Sequence, residues 1–189
     1  MDHFERLEGD LRFVRGALAA STRPAASPST IYFLWAVLVL VGFALVDFRT
    51  DLVPGYWAVA GPVGFLASAY LGWRHAQRSG QASASDGRRH MLHWGAVLIA
   101  VALAVVLRMR GDMPSETLHA VILLVLALGY FTAGLHLDRH LLWVGLLMAA
   151  GFLVVTLVSL YAWTVVGIAL AVSLTVAGLR GGRPREATT

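Results

Sequence analysis

Four histidines, His90, His93, His136 and His140, come nearest to chemistry by type and spacing. His90 and His93 stand three residues apart, so one helical face can carry both. His136 and His140 flank a short polar interruption that also carries Asp138. Imidazole beside carboxylate is a donor set for Zn, Ni or Cu. The four therefore form a candidate metal site, while the main reading expects no resident cofactor. The spacing is not a sharp one: no HExxH occurs, and histidine beside a short turn also serves as an ordinary hydrogen-bonding group. His119 lies at the opposite end of the same apolar run as His136, about 25 Å away at 1.5 Å per residue, and cannot join the set.

Other chemistries are missing. There is no cysteine, which removes disulfides, thiolate sites and thiol catalysis. There is no glycine-rich phosphate loop, no serine elbow, and no basic-aromatic surface for nucleic acid. No ionisable residue sits near the middle of an apolar run; Asp47 and Glu116 fall at run ends. What remains inside the runs is hydroxylic: Ser68, Tyr70, Tyr130, Thr132, Thr156, Ser159, Ser173 and Thr175. Hydroxyls of this kind are satisfied by carbonyls one turn back. The sequence therefore reads as that of a non-enzyme.

The elements that must position these residues are apolar and long. The 189 residues are 58% hydrophobic and 14% charged, where a water-soluble domain carries about 25% charged residues. Such a chain cannot cover a water-facing surface, so lipid must solvate it. Apolar segments run over about 31–47, 55–73, 91–107, 117–135, 141–158 and 162–179. A bilayer core needs roughly 17–25 helical residues per crossing. The expected fold is all-α: a polytopic membrane protein with six transmembrane helices. Pro62 should kink the second of them, and Ser29 or Thr30 should cap the first.

A layout repeats along these segments. Trp35, Trp94 and Trp143 each open a pair of apolar runs. Trp57, His119 and Trp163 each stand 15 residues before a glycine, respectively Gly72, Gly134 and Gly178. The six helices are thus expected as three tandem hairpins, about 31–73, 91–139 and 141–180, all in one orientation about an axis along the membrane normal. Small residues at four-residue steps, among them Gly64, Ser68 and Gly72, mark a helix face suited to close contact.

Charge sets the orientation. All 15 basic residues are arginine. Twelve fall in the two termini, the 74–90 segment and the turn at Arg139, against Arg49, Arg108 and Arg110 in the alternate loops. By the positive-inside rule both termini face the cytoplasm. The absence of lysine, with abundant Ala, Gly, Val and Leu, fits a GC-rich bacterial genome and an inner (cytoplasmic) membrane. Segment 74–90, rich in Ser, Gly and Ala, reads as a flexible inner loop.

The first 29 residues form a separate cytoplasmic part. Phe4, Leu7, Leu11, Val14 and Leu18 share one helical face. On the polar face Asp2, Glu5, Glu8 and Asp10 outnumber Arg6, Arg12 and Arg15. A lipid-surface helix carries a basic face, so this amphipathic helix is expected to dock on protein through Phe4, Leu7, Leu11 and Val14. A Pro/Ser linker follows over 19–29, and residues 181–189 read as a disordered tail. The function expected is a non-enzymatic membrane module, a sensor, accessory subunit or regulator. Its partners are the lipid bilayer and either a second protein or itself, with no nucleic acid. The alternatives are a small transporter or channel for a neutral solute along a central axis, and a metal- or haem-binding protein using the histidines.

Overall fold

The computed structural model describes residues 8–9, 28–79, 84–137, 139–158 and 160–181, with backbone only at Ser79, 84–86, His140 and Gly181. Phe4, Leu7, Leu11, Val14 and the tail lie outside these residues. Among the described residues six long helices follow one another: α1 (Ser29–Phe48), α2 (Val53–Ser79), α3 (Ala84–Met109), α4 (Ser115–His136), α5 (His140–Leu157) and α6 (Ala162–Gly181). A 3₁₀ turn, Thr50–Leu52, joins α1 to α2. There is no strand among the described residues. Five of the helices, all but α5, are long and apolar enough to cross a membrane; α5 contributes the shorter apolar stretch Leu141–Leu157.

The helix ends follow local chemistry. Pro28 and Pro114 hold the cap positions of α1 and α4 in extended conformation. Their carbonyls accept from Ile31 N and Leu118 N, each at 3.0 Å. Ser29 and Thr30 are therefore inside α1 rather than capping it, because proline pre-sets the entry that a hydroxyl cap would otherwise define. α3 stops at Gly111, whose φ of +83° is left-handed. There Asp112 N donates to Leu107 O and Gly111 N to Arg108 O, both at 3.1 Å, the paired bonds of a Schellman stop. α2 runs unbroken past Pro62 to Ser79. With α3 beginning at Ala84, the expected 74–90 loop is largely helix. Hydropathy marks where a helix leaves the apolar layer, not where its hydrogen bonds end, and Arg, Gln and Ala are good helix formers.

The helices pack in the order α2, α1, α6, α5, α4, α3. The most extensive interfaces are α1 with α6 and α4 with α5; α1/α2, α3/α4 and α5/α6 meet more narrowly, and among the described residues α2 and α3 do not touch. Each contacting pair is antiparallel, as residue pairings show: Gly42 meets Trp57 while Gly64 meets Trp35, and Gly167 meets Phe43 while Gly178 meets Phe33. The starts of α1, α3 and α5 therefore share one end of the bundle with the ends of α2, α4 and α6. One core unites α1, α4, α5 and α6, with Leu123, Met148, Leu170, Leu174 and Val144 its largest fully buried side chains. The outer helices are nearly bare: 17% of the apolar window of α2 and 11% of that of α3 is buried, against 39% for α6.

Candidate functional site

The histidines are placed at the end where α3 starts and α4 ends. His93 Nε2 lies 3.0 Å from the Gly129 carbonyl. A carbonyl only accepts, so Nε2 carries the proton and donates. The same imidazole stands edge-on to Trp94, centroids 5.2 Å apart. His136 is exposed at the end of α4, and the side chains of His140 and Asp138 lie outside the described residues. Among the described residues no three His, Asp or Glu side chains come together as a metal would require. His93 acts as a helix-to-helix hydrogen-bond donor, alongside Trp94 against Tyr130 (4.9 Å) and Val97 over Gly129.

The opposite end holds a polar contact that the sequence did not signal. Asp47, at the end of α1, accepts from Thr164 N at 2.7 Å and from Thr164 Oγ1 at 2.6 Å. Thr164 belongs to the first turn of α6, whose amides lack helical acceptors. Asp47 thus caps a helix 117 residues away in sequence, with its charge at the positive end of the α6 dipole. Arg49, Arg108 and Arg110, at this same end of the bundle, are each held within their own loop. Arg49 grips Asp51 at 3.0 and 3.1 Å, Arg110 meets Asp112 at 3.1 Å, and Arg108 Nε donates to Ser115 at 3.0 Å. The hydrogen bond to Asp51, with its charge, raises the Arg49 guanidinium further above its ordinary value.

Glycines decide how closely the helices approach. At Gly42 the Trp57 indole fills the place of a side chain. Gly64 lies under Leu38 and Trp35, and Ser68 Oγ accepts from Trp35 Nε1 at 2.9 Å while donating to the Gly64 carbonyl at 2.7 Å. Gly64 and Ser68 therefore form the α1/α2 contact. The three glycines of the repeat differ. Gly134 receives the start of α5 at Leu142, and Gly178 receives the start of α1 at Tyr32 and Phe33. Gly72 has nothing within 4 Å.

The aromatic positions follow the repeat in part. Trp35 meets Ser68 and Trp94 meets Tyr130, in each case the residue four before the hairpin's glycine. Trp143 departs from this and is 71% exposed. At the other end Trp163 meets both Phe43 (5.6 Å) and His119 (5.9 Å), while Trp57 packs on Gly42 beside Phe43.

Taken together, the described residues form an all-helical chain with five helices fit to cross a bilayer, as a helical membrane protein requires. No family model, no curated protein and no solved structure matches the chain.

Proposed function

We propose that this protein is a non-catalytic, six-span membrane module that works by lateral association with protein inside the bilayer, as a sensor, accessory subunit or regulator. One observation carries the reading. No charged side chain is buried among the described residues, and apart from the Tyr32 phenol the core is filled by Leu, Val, Met, Ala and Phe43. Pumps, ion-coupled carriers and membrane enzymes need ionisable groups within their spans. The described core holds none, while α2 and α3 leave most of their surface uncovered.

In this reading α5 crosses as well. It lies antiparallel between α4 and α6, and its 17 apolar residues span about 26 Å at 1.5 Å per residue. The hairpins α1/α2, α3/α4 and α5/α6 form three like-oriented units. Arg74, Arg78, Arg88, Arg89, Arg139 and Arg180 gather at one end, which supports a cytoplasmic placement of that end and of both termini in a bacterial inner membrane.

Reconstitution provides the test. Proteoliposomes holding this chain alone should be no more permeable to glycerol, small neutral amino acids or K⁺ than protein-free vesicles. Flux above that background overturns the reading in favour of the central-pathway alternative.

A further inference from the structure

The uncovered flank of α2 has a counterpart elsewhere in the chain, and that counterpart says what belongs on it. Gly167 and Gly178 of α6 are 11 residues apart, so they lie on one stripe of that helix. Phe43 of α1 packs into the notch at Gly167, and Tyr32 and Phe33 into the notch at Gly178. α2 carries Gly61 and Gly72 at the same spacing and at the same place in its hairpin, counted from the repeat glycine. Neither has anything within 4 Å.

The repeat also names the missing surface. The join between one hairpin's second helix and the next hairpin's first helix is made twice, as α4/α5 and α6/α1, and these are the two largest interfaces. The third such join, α2/α3, is unmade among the described residues. Counted from Trp94 as Tyr32, Phe33 and Phe43 are counted from Trp35, the α3 side consists of Met91, Leu92 and Ala102. All three are exposed, Met91 at 55% and Leu92 at 66%.

We infer that a second copy of this chain makes the third join, α3 of each copy seating on the glycine flank of α2 of the other. The inference rests on the three-hairpin reading above. A second copy is the occupant these surfaces fit, because every copy displays both halves of the join and a twofold axis along the membrane normal pairs both at once. That axis keeps α2 antiparallel to the copy's α3, the relation found in both completed joins. Lipid supplies no hydrophobic drive between helices, so the van der Waals fit at Gly61 and Gly72 sets the contact. The dimer gathers Arg74, Arg78, Arg88 and Arg89 of both copies at one end, where anionic headgroups screen them.

Cysteine cross-linking in the native membrane tests this, on a chain with no cysteine of its own. A Cβ on Gly178 would stand 3.2 Å from Tyr32 Cβ, close to the spacing of a disulfide. The equivalent pair is Gly72→Cys with Met91→Cys. Differently tagged chains, one G72C and one M91C, should oxidise to a species of twice the chain mass that carries both tags. L66C chains, with the cysteine on the opposite face of α2, should give no such species above background. The double variant Y32C/G178C reports on the hairpin arrangement itself and should close within one chain. If it closes and G72C/M91C forms no mixed dimer, or a G72C/M91C double variant closes only within one chain, the second copy is refuted and the hairpins stand. If Y32C/G178C fails to close, the three-hairpin reading falls and the inference falls with it.

Discussion

Replacing Asp47 tests whether the α1/α6 interface is fastened as the geometry implies. The half-buried carboxylate accepts two short bonds from Thr164, one from the main chain and one from the hydroxyl. Loss of an N-cap costs about 0.5–2 kcal/mol, and a hydrogen bond to a charged group contributes about 1.5–3 kcal/mol. Both bonds share one oxygen, so Asp47→Ala should cost about 2–3 kcal/mol rather than the sum. For a chain of this size each kcal/mol is worth roughly 2–4 °C, which places the fall in Tm at about 4–12 °C. Asp47→Asn keeps an acceptor and loses the charge, so it should cost about 1 kcal/mol. Thr164→Val keeps the main-chain bond and should cost about the same. Because the bonds share a carboxylate, Asp47→Ala with Thr164→Val should cost less than the two single variants added together. Thermal unfolding in a mild detergent measures all four, and hydrogen exchange at the Thr164 amide gives a local reading. A Tm for Asp47→Ala within 1 °C of the parent (~0.3 kcal/mol on the same scale), with the Thr164 amide still protected, would refute the cap. Asp47→Asn as damaging as Asp47→Ala would show that charge alone matters.

Two further substitutions probe the hairpin contacts. Gly42→Ala drives a methyl into the Trp57 indole and should destabilise by about 1–3 kcal/mol, the usual cost of overpacking. Gly55→Ala, with nothing within 4 Å, should be neutral or gain up to about 1 kcal/mol from helix propensity; equal effects in a melt would contradict the close approach of α1 and α2. Ser68→Ala leaves the Trp35 N–H without its acceptor and should cost about 1–3 kcal/mol. Trp35→Phe removes the donor with it and should cost less in polar terms, so the tryptophan emission of Ser68→Ala, not stability alone, separates the two.

The apolar runs were legible because a bilayer imposes a length and a hydropathy on whatever crosses it. Gly111 was equally readable in principle, since a glycine just past an apolar run is the commonest helix stop. Two features were not. The helical extension of α2 to Ser79 leaves no mark in hydropathy, because those residues stand beyond the apolar layer yet keep their main-chain bonds. The Asp47 cap joins residues 117 apart, and nothing local in either segment specifies the other. The histidines carry a spacing that fits a ligand set, and the fold adds that His93 donates to the Gly129 carbonyl, a bond that needs only a donor facing a close helix.

The 15-residue step from Trp57, His119 or Trp163 to a glycine gains a physical meaning from the packing. A crossing takes about 20 residues, so a step of 15 runs from one boundary of the apolar layer toward the other. The aromatic marks the start of the hairpin's second helix, and at Gly134 and Gly178 the glycine marks the depth at which another helix docks. That explains why the aromatic tolerates replacement by His119, which still meets Trp163 edge-on at 5.9 Å, while the glycine does not vary. At Gly134 the atoms nearest a Cβ belong to the Leu142 main chain, and main chain cannot rotate away as a side chain can. At Gly178 they belong to Tyr32 and Phe33. Alanine at either position should therefore loosen the join in a way that alanine at Gly72 does not within one chain. If Gly72→Ala proved as destabilising to the monomer as Gly134→Ala, the glycine would be serving a contact inside the chain, and the open flank of α2 would lose its meaning.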